Sequence, residues 1–169
     1  PQLNVPAGPV RFRVLNAGHD RFVKLQLYLA VNKNGYTNPT VAPYNTAGPV
    51  TDLTEVAMVP AAATVGFPEL WPTDGREGGV PDPAMRGPAF IQIGTEGGFL
   101  PAPVVLPNQP VNWNTDVTTF NAGNVLNWAD GGGTLMLGPA ERADVIVDFT
   151  NFAGRTLILY NDAPAPWPA

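Results

Sequence analysis

The chain has 169 residues, with 20 Pro, 18 Gly, one His and no Cys. Charged residues make up 14% and hydrophobic residues 44%, and the formal net charge is -5. These figures exclude a disulfide framework and a thiolate-bound metal, and they offer no basic surface to nucleic acid.

A chain of this length suits one domain with a sizeable core. Pro and Gly interrupt nearly every apolar run, which excludes an extended helical protein. Recurrent Val, Ile, Leu and aromatic residues argue against disorder. No apolar stretch reaches the ~18 residues of a membrane span, and no signal-peptide pattern is present. The chain opens at Pro1 and both ends read as linkers, so a domain cut from a longer protein is expected.

In chain order, the first signal is a period of two. Val10, Phe12 and Val14 share one face of a strand over 9–15, and Arg11 and Arg13 point the other way. Residues 16–18 break that strand. A second strand over 23–31 puts Val23, Leu25, Leu27, Leu29 and Val31 on one face. Lys24, Gln26, Tyr28 and Ala30 take the other. Asn32-Lys33-Asn34-Gly35 closes it, because Asn and Gly tolerate positive φ. Residues 35–52 lack a sustained period and form a first long loop.

Short strands are expected over 53–59 and 61–65, before a second long loop over 66–88. A loop of that length in a compact domain serves a purpose or packs against something, the plain alternative being an exposed insertion. Strands resume over 89–94, 104–106 and 134–137, around a third long loop over 107–133. Over 142–149, inward Ala143, Val145, Val147 and Phe149 alternate with outward Asp144 and Asp148. Ile146 departs from the pattern, which implies partial cover of its face. A last strand is expected over 155–160, and residues 163–169 read as a Pro-rich linker to a following domain. Seven or eight short strands without a helix predict one all-β domain over 1–169. The expected architecture is an antiparallel Greek-key β-sandwich with long Pro/Gly-rich loops.

Residue counts remove most catalytic constellations. The sequence contains no Ser, so a Ser-His-Asp triad cannot form. His19 is the single imidazole and cannot build a His-rich zinc or copper site; its loop position reads as a surface histidine. Four strand residues put Asp144 and Asp148 ~13 Å apart, beyond the roughly 5 to 9.5 Å of glycosidase carboxylate pairs. They read as solvated strand charges. Gly131-Gly132-Gly133 lacks the Lys and helix of a phosphate cradle. Met58, Met85 and Met136 read as core fillers. Trp71, Trp113, Trp128 and Trp167 fall in loops, where they pin irregular chain onto the sandwich. In the alternative reading, the chain is a secreted binding module whose loop tryptophans stack on a glycan or anchor a protein. No residue is assigned as catalytic, cofactor-binding or metal-binding.

Several segments carry a resemblance beyond composition. Val10-Arg11-Phe12-Arg13-Val14-Leu15-Asn16-Ala17-Gly18 resembles the arginine-rich strand and turn that open the middle domain of multicopper oxidases. Phe90-Ile91-Gln92-Ile93-Gly94-Thr95-Glu96-Gly97-Gly98-Phe99-Leu100 is similar to the QIGTDGG block of the bacterial laccase branch. Leu137-Gly138-Pro139-Ala140-Glu141-Arg142-Ala143-Asp144-Val145-Ile146-Val147-Asp148-Phe149 is similar to its APAERADVIVDF block. Residues 154–162, ending Leu159-Tyr160-Asn161-Asp162, resemble the continuation of that block, and all these segments lie in the expected order.

That branch includes spore-coat laccases, phenoxazinone synthases, bilirubin oxidases and manganese oxidases. Its members oxidise phenols, pigments or metal ions one electron at a time and reduce dioxygen to water. The resemblance implies a cupredoxin-like fold and a parent protein holding copper on His-x-His and Cys-His motifs of its first and third domains. This chain has neither motif, so the resemblance implies the copper-free middle domain, with the flanking cupredoxin domains as partners. The middle domain would hold those neighbours in register, and loops 35–52, 66–88 and 107–133 would wall a substrate pocket. A secreted, cell-surface or spore-associated parent is implied too. Within the resembling blocks, Pro139 sets the strand's entry direction, and Glu141 and Arg142 are placed to pair. Arg11 or Arg13 is placed to meet Asp144 or Asp148 across the sheet.

Overall fold

A computed structural model describes residues 1–32, 46–114, 118 and 134–163. Among them, the strands in chain order are β1 (Pro9–Leu15), β2 (Val23–Asn32), β3 (Leu53–Val56), β4 (Met58–Val59) and β5 (Val80–Pro81). They continue as β6 (Phe90–Thr95), β7 (Gly98–Leu106), β8 (Leu135–Leu137), β9 (Arg142–Asp148) and β10 (Leu157–Asn161). Among the described residues, helical structure is limited to single 3-10 turns at Pro83–Met85 and Thr150–Phe152.

Two antiparallel sheets pack face to face. The first has the order β1-β9-β6-β7, and the second runs β10-β2-β3. Strand β8 pairs with the first residues of β2, on the side that β3 occupies further along. Strands β4 and β5 form a separate two-stranded ribbon. The core between the sheets follows the period-two alternation. Leu25 and Leu27 of β2 meet Phe90, Ala143, Val145, Val147 and Phe149 from the opposite sheet, with Val10, Phe12 and Val14 packed around them. Strands in which every second residue is apolar can bury one face, and two such sheets bury each other's.

Strand β2 departs from that rule, because both its faces are buried. Tyr28, on the face away from the core, is covered by a second apolar cluster of Val59, Ala61, Trp71 and Val80. The long connection between β4 and β6 therefore lies across the outside of the second sheet, and it is no exposed insertion. Gly87 N–H reaches Leu27 O at 2.8 Å, and Tyr28 forms an isolated bridge with Arg86. Asn108 acts where a strand is missing: its Oδ1 accepts from Leu27 N–H at 2.8 Å, and its Nδ2 donates to the carbonyls of Gly87 and Pro88. That side chain fills the gap along β2 between β8 and β3.

Other expectations need revision. Residues 61–65 form turns and bends instead of a strand; only Ala61 is buried there. The strand expected over 53–59 breaks at Ala57, whose carbonyl accepts from Asp82 N–H at 2.8 Å. Glu141 does not turn to Arg142: its carboxylate accepts from Gly138 N–H at 2.6 Å, while Arg142 Nη1 donates to Ala140 O. The run 131–133, Trp128, Trp167 and most of the linker lie outside the described residues.

The Gly94 segment has a steric reason for its composition. The register of β6 against both neighbours shifts between Gln92 and Gly94, the mark of a bulge. A Cβ at Gly94 would sit 2.8 Å from Gly98 O and 3.3 Å from Asp144 Cβ. At Gly97 the nearest atom would be 3.7 Å away. Gly94→Ala is therefore expected to cost about 1–3 kcal/mol in urea unfolding, and Gly97→Ala less than about 0.5 kcal/mol. Equal losses at the two positions would contradict the packing described for the bulge.

Candidate functional site

Among the described residues, three regions hold non-routine chemistry. The first is a buried charge cluster under the outer loop layer. Lys24 leaves β2 on the Tyr28 side and is fully buried, with its Nζ 2.7 Å from Asp162 Oδ2. Asp162, just past β10, also receives Arg76 Nη1 at 3.1 Å. Arg76 binds Asp74 through Nε at 2.9 Å and donates Nη2 to Val111 O. Its guanidinium stacks 3.9 Å over the Trp113 ring, a cation–π contact that suits a planar, weakly hydrated cation. Asp74 Oδ2 accepts from Trp113 N–H at 2.7 Å. Beside this cluster Tyr28 Oη donates to Gln26 Oε1 at 2.5 Å.

The electrostatics follow from burial and pairing. Burial pushes the Lys24 ammonium below its ordinary value, although Asp162 opposes the shift. Burial and the Asp162 charge push Tyr160 up to about 12. Burial alone would raise Asp74, but hydrogen bonds from Arg76 and from the Trp113 amide hold it below the usual carboxylate range. Each of these groups is a structural ion or phenol.

The second region is the outer face of the first sheet. Arg11 donates Nε to Asp144 Oδ1 at 2.8 Å and Nη2 to Oδ2, and Arg13 lies 4.0 Å from the same carboxylate. Arg11 also lies over the Phe99 ring at 5.6 Å. Arg13 faces Asp144 directly in the register while Arg11 reaches it diagonally, so the expected cross-strand pairing forms. Asp148 instead accepts from the Thr150 amide and hydroxyl. The two carboxylates serve different partners and do not converge.

The third region is a groove of about 1140 Å³ at the open edge of the sandwich. Phe12, Leu25, Leu27, Phe90, Val147 and Phe149 line it.

The candidate donors stay apart. His19 is exposed in the turn between β1 and β2. Met58 lies on β4, Met85 in a 3-10 turn and Met136 on β8, all half-buried. One imidazole and scattered thioethers do not suit a copper centre. Trp71 is 3% exposed and donates Nε1–H to Pro81 O at 3.1 Å, so it offers no face for a glycan to stack on. Trp113 is half-buried against Arg76.

Sequence reasoning missed the Lys24–Asp162–Arg76–Asp74 cluster. A Lys, a Gln and a Tyr alternating with leucines look like a solvated strand face, and Arg76 is 86 positions from Asp162. It also missed Asn16, which is buried and donates Nδ2 to Arg21 O and Leu137 O, stitching the end of β1 to the following turn and to the end of β8.

The described fold is an all-β antiparallel sandwich. No family model matches the chain. It is similar to a laccase of Bacillus subtilis (strain 168), 35% identical over 78 residues. The match takes in 46% of this chain and 10% of the laccase. That likeness supports a relationship to the multicopper oxidases over the matched segment. Among the described residues, no helix is long and apolar enough to cross a membrane.

Asp162→Ala leaves Lys24 buried without its counter-ion and is expected to cost about 3–5 kcal/mol in urea unfolding. Lys24→Met removes a cation that burial already disfavours, while Asp162 keeps Arg76, so its cost should be clearly smaller. Equal costs would contradict this division. Stability should also fall with acid. Asp74, Asp144 and Asp148 titrate below their ordinary value of 3.8 in the folded chain. The unfolded chain then binds more protons as pH drops through that value, so denaturation midpoints measured from about pH 6 to about pH 3 should decline. A flat profile would contradict the assigned partners.

Proposed function

We propose that the chain is the copper-free middle domain of a laccase-like multicopper oxidase, with a cupredoxin-like Greek-key connectivity over 1–169 and a linker at 163–169. The observation that carries this reading is the likeness to a laccase in a chain whose donor set does not suit copper. In this reading the parent oxidises phenols, pigments or metal ions and reduces dioxygen on copper held by the neighbouring domains. This chain supplies their spacing and orientation.

A spacer domain needs fixed loops and a fixed chain exit. Here the same carboxylate serves both. Asp162 stands at the end of β10, where the chain leaves the sandwich, and it is tied to β2 through Lys24 and to the outer layer through Arg76. The loops over 35–52, 66–88 and 107–133 belong to the same proposal as pocket walls. Of these, Arg76 and Trp113 already fix parts of the second and third to each other.

Copper titration by isothermal calorimetry tests the reading. The 169-residue chain is expected to take up no stoichiometric copper. Saturable binding of one or more ions tighter than about micromolar would overturn the copper-free assignment.

A further inference from the structure

Lys24 and Asp162 face each other where β2 meets the end of β10. Asp162 N–H donates to Lys24 O at 3.0 Å, and residues opposed in this way put their side chains on the same face of a sheet. Lys24 Nζ lies 2.7 Å from Asp162 Oδ2, with the two side chains 0% and 2% exposed. Yet neither atom has a hydrogen-bond partner: the ammonium touches the carboxyl group without the angles that a hydrogen bond requires. Its three N–H donors are therefore stranded away from water, which costs more for an ion than for a neutral group.

The rest of the cluster is built around the other carboxyl oxygen. Arg76 Nη1 donates to Asp162 Oδ1 at 3.1 Å. Arg76 is itself held by Asp74, which accepts from Nε and Nη2, and by the Val111 carbonyl. One oxygen of Asp162 is thus anchored to a fixed cation while the other meets the amine. This is the layout of an acyl-transfer site, with a donor at the oxygen that gathers charge and a nucleophile beside the carbon. Burial also favours the neutral amine of Lys24, which is the nucleophilic form of a lysine.

We propose that Lys24 and Asp162 condense into an isopeptide bond between their side chains. One proton passes from Nζ to Oδ2 within the contact, leaving an amine and a carboxylic acid. The Nζ lone pair forms the new bond to Cγ, and the charge that gathers on Oδ1 meets Arg76 Nη1. The Cγ–Oδ2 bond then breaks, and Oδ2 leaves as water with that proton and a second one from Nζ. No oxidant or other co-reactant is needed. The product removes both buried charges and two of the three stranded N–H donors, and it keeps Oδ1 as the acceptor for Arg76. Groups held in contact react with effective molarities of roughly 10⁵–10⁸ M. The bond ties the chain exit covalently to β2 and does not depend on the oxidase reading. Lys24→Met and Asp162→Ala each abolish it, so the difference expected between those variants is unchanged.

Intact-mass spectrometry of the folded 169-residue chain tests the proposal. The expected mass is one water below the value calculated from the sequence, and Lys24→Arg and Asp162→Ala should each show their full calculated mass. Trypsin should fail to cut after Lys24, and the digest should contain a branched peptide joining residues 22–33 to residues 156–169. A wild-type chain that keeps its full mass after prolonged incubation in the folded state would overturn the proposal. So would a water loss that persists in Lys24→Arg, or one that the digest maps elsewhere, such as a cyclised aspartate at Asp74-Gly75. None of these outcomes bears on copper uptake, so the two proposals fail separately.

Discussion

The buried contact of Lys24 and Arg76 with Asp162 is the constraint on which the outer half of the structure depends. A sheet face carrying Lys, Gln and Tyr would ordinarily face water. Here it is covered by the chain between β4 and β6 and by residues 108–113. Covering it strips water from two cations and a carboxylate, which is costly unless the charges meet one another. Asp162 lets both cations meet one anion, and Asp74 takes a second share of Arg76. Such clusters rarely exceed a well-packed apolar alternative in stability. Their effect is on uniqueness: an apolar layer could slide on β2, whereas the ions fix one arrangement.

That fixed layer explains why long Pro/Gly-rich segments belong to an ordered domain. Pro72, Pro81 and Pro110 are fully buried, and each lacks the backbone donor that burial would otherwise leave to be satisfied. Asn108 and Gln109 then satisfy carbonyls that no strand reaches. The irregular chain thus packs as a third layer, with side chains satisfying several of its carbonyls.

Legibility in the sequence followed the range of the interactions. Strands β1 and β9 are readable because period two is local, and a pairing of Arg11 or Arg13 with Asp144 or Asp148 follows from their outward faces, with the structure selecting Asp144. Strand β5 is only Val80–Pro81, too short to show a period. Residues 61–65 look like a strand by composition, but one buried alanine is their only share of a core. The Lys24 cluster was invisible for a different reason. Its members come from β2, the outer loop and the end of β10, and their meeting is decided by tertiary packing alone. The poverty of imidazole and thiol is a matter of composition and needs no geometry.

In the proposed scaffold role the domain would transmit position, through the outer layer that Arg76 ties to Asp162 at the end of β10. The scaffold reading places the redox chemistry in neighbouring domains, and the most direct measurement is the sequence of the full open reading frame that encodes this chain. The reading predicts His-x-His motifs before Pro1 and a Cys-His segment after Ala169. A complete reading frame without those motifs would contradict it.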